Sequence, residues 1–273
     1  MSRVLDALQK VGSHPGGQMP NSPTAFVDAI ESDFKHESAP VVRMQVGPKS
    51  GLFFHSDPRG FAAERYRLLR LRLRTFRAQA DLKTILITSP GARDGKSTVA
   101  LNLAAALAEK GKESVLLLEA DLRRPTLASE LGLKLPSGLT HCTRTELGLS
   151  SVIWRVEPLG FYFIPAGRPA SNPIELLNSE WFSHGVEKLA ASFDWVVIDS
   201  PPAIPVVDTV SIKDRADASL LVIRAGVTQQ ASIDEAMRVL GPDHVLGIIL
   251  NGVEGLDRRY DDYYAEKPAK AKT

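Results

Sequence analysis

The sequence predicts an α/β fold with a mostly parallel sheet and helices on both faces. Three observations carry the prediction. Apolar runs at residues 83–88, 114–119, 195–199, 218–224 and 245–250 alternate with segments of helical period. SVLLLE and WVVID are near-continuously apolar, as strands covered on both faces are. The first run leads through TSPGARDGKST directly into the helix pattern VALNLA, a strand–turn–helix unit. A chain of 273 residues, 44% hydrophobic, suffices for one such domain with short appendages.

The elements follow in order. Val4, Leu5, Ala7, Leu8 and Val11 predict a short amphipathic helix over residues 1–11, too short to be stable alone. Residues 12–40 are rich in Gly, Pro, Ser, Asn and His and read as a flexible linker. The domain spans residues 41–258 and a tail spans 259–273. Asp57-Pro58 opens a helix over about residues 59–78, proline being tolerated in a first turn. Tyr66, Leu69, Leu73 and Phe76 share the face expected to pack on the domain. Arg67, Arg70, Arg74 and Arg77 form an adjoining ridge, either a solvated face or a contact for anionic lipid or a partner's carboxylates. Leu68 and Leu71 lie off the packing stripe and predict a second contact surface, between subunits.

Residues 83–88 form the first strand of the sheet. The helix after the turn runs to about Lys110, where Gly111 stops it. A strand at 114–119, a short helix at 123–131 and a helix around 149–154 come next. A strand at 161–164 ends in Pro165-Ala166-Gly167, with helices opening at Asn172 and running over 179–191. Then come a strand (195–199), a helix (209–215), a strand (218–224), a helix (230–240) and the last strand (245–250). From Gly255 the chain is polar and charged, and it carries Tyr260, Tyr263 and Tyr264 beside Asp261 and Asp262. That composition predicts a mobile, exposed tail.

Composition excludes several functions. A formal net charge of +1 gives no bulk attraction to nucleic acid or to a membrane. The single cysteine, Cys142, rules out an internal disulfide and fits a reducing cytoplasm. No apolar run approaches the roughly 18 residues of a membrane span. The start, MSRVLDALQK, is too short and too charged for a signal peptide. The six histidines show no metal-ligand spacing, and neither a G-x-S-x-G nor a G-x-G-x-x-G motif occurs.

Chemistry concentrates at the carboxyl ends of three strands, where open α/β sheets bind ligands. The first end carries GARDGKST. Backbone N–H groups across Gly91, Ala92, Arg93, Asp94, Gly95, Lys96, Ser97 and Thr98 are placed to cradle phosphate oxygens at a helix start. Lys96 is placed to reach the β- and γ-phosphates, and the Ser97 hydroxyl to ligate Mg²⁺. The usual first glycine of G-x-x-x-x-G-K-[ST] falls on Pro90, so Gly91 is expected to supply the turn. The second strand ends in Glu119 and Asp121, the third in Asp199. A cation and amides for phosphates, with carboxylates and a hydroxyl for Mg²⁺, are what phosphoryl transfer needs. A carboxylate beside an attacking hydroxyl takes its proton.

These segments together resemble the bacterial tyrosine kinases, the capsular and exopolysaccharide autokinases. That family has a P-loop NTPase fold shared with partitioning and septum-site ATPases. The resemblance covers residues 52–264. SPGARDGKST resembles the family's loose Walker A, LLLEADLRRP its Walker A′ and WVVIDSPP its Walker B. Glu64, Arg67 and Arg70 match an E-x-x-R-x-x-R helix used for subunit contacts, and Tyr260, Tyr263 and Tyr264 stand at its C-terminal tyrosine cluster. The resemblance implies an ATP- and Mg²⁺-dependent kinase forming homo-oligomeric rings and phosphorylating the tail tyrosines of a neighbouring subunit. It implies catalytic roles for Lys96, Glu119, Asp121 and Asp199, metal contacts from Ser97, Asp121 and Asp199, and a place for Asn251 facing the base. It further implies a separate membrane-embedded activator of the chain-length-determinant type, a cognate tyrosine phosphatase and a place at the inner face of the plasma membrane. Glu119 departs from the family's usual aspartate by one methylene. Residue 91 is not the signature lysine of the partitioning ATPases, which favours the kinase branch. The alternatives are a partitioning-type ATPase switch and a nucleotide-binding pseudokinase scaffold.

Overall fold

The computed structural model describes residues 36–47, 50–142, 149–204 and 208–254. The expected N-terminal helix, most of the linker, and Tyr260, Tyr263 and Tyr264 lie outside the described residues. Within them the chain builds one eight-stranded sheet. Its strands are β1 (Val41–Arg43), β2 (Thr84–Thr88), β3 (Val115–Glu119), β4 (Trp154–Glu157), β5 (Phe161–Ile164), β6 (Trp195–Asp199), β7 (Ala218–Arg224) and β8 (Val245–Asn251). Their order is β1-β4-β5-β3-β6-β2-β7-β8. The strands from β5 to β8 run parallel, while β4 pairs antiparallel with β5 and carries β1 beside it.

The helices are α1 (Phe53–Ser56), α2 (Phe61–Gln79), α3 (Lys96–Ala108), α4 (Leu127–Glu130) and α5 (Leu139–Cys142), followed by α6 (Pro173–Asn178), α7 (Glu180–Ser192), α8 (Asp208–Lys213) and α9 (Gln230–Leu240). Side chains of a strand alternate between faces, and the core divides accordingly. Ile85, Ile87, Val115, Leu117, Trp195 and Val197 face one layer with α3. Leu86, Leu116, Leu118, Val196 and Ile198 face the other, with Phe182, Val186 and Leu189 of α7. Helix α3 is buried all round from Val99 to Ala108, because α2 covers its outer side.

Two expectations fail on short or half-exposed segments. The helix around residues 149–154 is a 3₁₀ turn, Leu149–Val152, and Trp154 then starts β4. In β4 only Val156 is buried, so the sequence carries no strand signal there. Phe76, expected on the packing face of α2, is 41% exposed. Its neighbour Arg74 already reaches Glu113, past the end of α3, so the helix that receives Leu73 no longer lies beneath Phe76.

The arginines of the ridge find their partners within the chain. Arg67 bonds Glu64 and Glu109, and Arg70 bonds Glu109 and the Ala106 carbonyl. Arg74 pairs with Glu113, and Arg77 reaches Asp194 and lies over the Trp195 ring. Hydrogen bonds from Arg67, followed by Arg70, hold the Glu109 carboxyl below its usual range. The ridge therefore clamps α2 to the end of α3 within one chain. Leu68 and Leu71 stay exposed on the outer side.

Candidate active site

The turn between β2 and α3 owes its shape to two left-handed residues, Arg93 (φ +70°) and Gly95 (φ +96°). Gly91, the expected turn residue, does not adopt a left-handed conformation, and a side chain there meets only Asp94 Oδ2 at 3.7 Å. Asp94 holds the loop instead. Its carboxylate accepts from the Gly91 N–H at 3.0 Å and from the Thr228 hydroxyl at 2.9 Å. The Asn251 side-chain amide donates to the Asp94 carbonyl at 2.9 Å, and Arg224 donates to the Arg93 carbonyl at 3.3 Å. The ends of β7 and β8 thus brace the loop, a contribution that no local motif announces.

Lys96 and Ser97 open α3. The Lys96 ammonium donates to Asp121 Oδ2 at 3.1 Å and lies 3.2 Å from the Ser97 hydroxyl. Burial alone would lower the Lys96 pKa, but Asp199 and Asp121 outweigh it and the net shift is upward. Asp199 is 1% exposed, and its Oδ1 has no hydrogen-bond partner. Burial pushes its carboxyl up to about 7, against the opposing pull of Lys96 and the Ser97 hydroxyl. Such an orphaned acceptor beside a hydroxyl and a second carboxylate is a hard-oxygen set of the kind Mg²⁺ takes. Among the described residues no cluster of three or more His, Cys, Asp or Glu could hold a metal by itself. Mg²⁺ generally keeps several waters and shares its shell with substrate phosphates. The residues present therefore fit a magnesium-bound nucleoside phosphate.

The structure brings Lys96, Ser97, Asp121 and Asp199 together and places Glu119 beside Asp199 across β3 and β6. Glu119 differs from the others, since both its oxygens are already engaged. Oε1 accepts from the N–H groups of Thr126 (2.7 Å) and Leu127 (2.6 Å), and Oε2 from that of Ala166 (2.9 Å). Burial raises its pKa while these three amides oppose the rise. Asp121 Oδ1 takes the Arg124 N–H at 3.1 Å.

Sequence reasoning missed Asp208. It is fully buried and takes both a 2.7 Å and a 3.1 Å bond from Arg123. The pairing links the loop after β3 to α8, residues distant in sequence. No helix of the described residues is long and apolar enough to cross a membrane.

Comparison with known proteins identifies the family and the fold. A profile described as an AAA domain matches residues 83–231. The tyrosine-protein kinase YwqD of Bacillus subtilis (strain 168) is 31% identical over 214 residues, 78% of this chain and 90% of that protein. The kinase domain of the Escherichia coli tyrosine kinase ETK superposes with a TM-score of 0.70 at 26% identity, covering 90% of this chain and 92% of that domain. The septum site-determining protein MinD of Pyrococcus horikoshii OT3, solved with Mg-ADP, shares the fold at a TM-score of 0.54 and 22% identity, covering 62% of this chain and 70% of that one. With a nucleotide-type loop, a carboxylate pair around Lys96 and these relatives, the chain belongs to the bacterial tyrosine-protein kinases of the AAA-domain family.

Proposed function

We propose that the chain is an ATP- and Mg²⁺-dependent tyrosine autokinase that phosphorylates Tyr260, Tyr263 and Tyr264 of a neighbouring subunit. The observation that carries this reading is the Lys96 ammonium held 3.1 Å from Asp121 at the opening of α3. When phosphates fill the N–H cradle, Lys96 turns to them and frees Asp121 Oδ2. The freed oxygen then accepts the proton of an incoming tyrosine hydroxyl. The γ-phosphorus–oxygen bond to ADP breaks as the bond to the tyrosine oxygen forms, and the phenolic proton passes to Asp121. Bound Mg²⁺ neutralises charge on the phosphate oxygens, with Ser97, Asp121 and Asp199 as the residues to hold it. Asn251 is tied to the Asp94 carbonyl beside the loop, and the family resemblance gives it the role of facing the nucleotide base.

By its resemblance the kinase governs exopolysaccharide or capsule production. It assembles into rings through α2, with Glu64, Arg67 and Arg70 as the contact residues the resemblance implies and Leu68 and Leu71 exposed beside them. A separate membrane-embedded activator of the chain-length-determinant type brings it to the inner face of the plasma membrane, and a cognate phosphatase reverses the reaction. Each phosphate adds about −1.5 to −2 charge to the tail, which loosens the ring. The test is purified full-length chain with and without the activator, incubated with Mg-ATP and read for phosphotyrosine by mass spectrometry. The expected result is modification of the three tail tyrosines, lost in Lys96→Met. ATP hydrolysis without phosphotyrosine would instead mark a partitioning-type switch.

A further inference from the structure

Glu119 stands where the family places an aspartate, yet its surroundings give it another task. Its carboxylate is 1% exposed and accepts three backbone N–H groups from two separate segments. Thr126 and Leu127 open α4, while Ala166 follows β5 and is itself held by the Thr140 N–H on its carbonyl at 3.0 Å. Between Glu119 and Thr126 runs the loop bearing Asp121 and Arg123. The same loop is pinned by the Ala120 N–H on the Asp199 carbonyl at 2.8 Å and by Arg123 on Asp208.

We propose that Glu119 is a positioning residue, which fixes both ends of the Asp121 loop and the turn at Ala166, and is neither proton acceptor nor metal ligand. The proposal rests on the kinase reading only for its rate measurements. Reach decides the matter. An aspartate here is shorter by one carbon–carbon bond, about 1.5 Å, and cannot span from β3 to the α4 amides and the Ala166 amide together. Glutamine keeps the length and, through its carbonyl oxygen, the two bonds to Thr126 and Leu127. It meets the Ala166 N–H with a donor. A group that acts through its charge has the opposite ranking, because aspartate keeps the charge and glutamine does not. Misplacing the loop matters because displacements of about 1 Å cost on the order of 100-fold in rate.

The experiment compares full-length Glu119→Gln and Glu119→Asp with wild type and Asp121→Asn. Initial rates of phosphotyrosine formation are taken across pH 6 to 9, alongside amide hydrogen exchange at residues 126, 127 and 166. The expected result is that Glu119→Gln stays within about tenfold of the wild-type rate and keeps the acid limb of its pH profile. Glu119→Asp should lose more, and its three amides should exchange faster than in Glu119→Gln. An active Glu119→Asp beside a silent Glu119→Gln, with the 10²–10⁴-fold loss that removal of a proton acceptor brings, would overturn the proposal. Unchanged exchange in both variants would overturn it as well. If wild type itself forms no phosphotyrosine, the kinase reading fails, while the exchange rates still decide what Glu119 holds.

Discussion

The side-chain nitrogen of Asn251, the last residue of β8, lies 2.0 Å from where a Cβ on Gly95 would stand. The same nitrogen donates to the Asp94 carbonyl, so the end of the sheet's edge strand is packed onto the phosphate-loop backbone. Gly95 also has φ +96°, a conformation that costs residues with a Cβ roughly 1–2 kcal/mol. Gly95→Ala should therefore weaken nucleotide binding by at least about tenfold, measured by titration calorimetry with an ATP analogue and Mg²⁺. Adding Asn251→Ala removes the collision but not the backbone strain, so the double variant should recover only part of the loss. Full recovery would show that φ at Gly95 is unimportant.

Glu109 is the hinge pin between α2 and α3. It accepts from Arg67 at 2.6 Å and from Arg70 at 2.8 Å. The Arg70 side chain is only 10% exposed and keeps the Ala106 carbonyl as its other partner. Glu109→Ala leaves that buried guanidinium short of an anion, which costs about 1–3 kcal/mol at a partly screened site. For a domain of this size the melting temperature should fall by about 2–10 °C. Unchanged thermal unfolding would place the value of these pairs near that of ordinary surface bridges.

Most of the sheet was legible because buried parallel strands are short, apolar and punctuated. Residues 195–199 and 230–240 match β6 and α9 to the residue. The failures share a cause. β1 and β4 are edge additions in which β4 buries only Val156, so alternation never develops. Lys96 and Ser97 stand out in sequence as a strand end leading into a helix start, and Asp121 and Asp199 as carboxylates at strand ends, and the structure brings the four side chains together. The arginines of α2 were not legible, since their partners Glu109, Glu113 and Asp194 are set by tertiary packing. Asp208 lay hidden for the same reason, its partner Arg123 being 85 residues away in sequence.

Asp199 should make the nucleotide-free protein less stable as pH rises. Its folded-state pKa is raised from 3.8 to about 7. The folded state then binds the proton more tightly than the unfolded one, so this group's contribution is full below about pH 4 and is lost as pH climbs towards 7. Asp199→Asn removes the buried charge. We expect its melting temperature without Mg²⁺ or nucleotide to exceed that of wild type by about 5 °C at pH 8, with the gap narrowing at pH 5. Magnesium-nucleotide binding should be lost in the same variant. A gap that does not change with pH would mean that Asp199 does not titrate in this range.

Cys142 offers a probe of the turn that Glu119 holds. It is fully buried in α5, and burial pushes its thiol up to about 11. At pH 8 the reactive thiolate is then on the order of 0.1% of the thiol, within a side chain closed to reagent. Native protein should resist iodoacetamide for an hour, while protein in denaturant labels completely, as read by intact mass. Helix α5 leans on the turn after β5, where the Leu139 N–H donates to the Pro165 carbonyl at 2.8 Å and the Thr140 N–H to that of Ala166 at 3.0 Å. Loosening Ala166 by Glu119→Asp should open that contact and speed Cys142 labelling at least about tenfold under conditions where the variant remains folded. Equal labelling in both proteins would mean that α5 is held by its own core contacts, Leu139 and Cys142 among them, independently of the Ala166 turn.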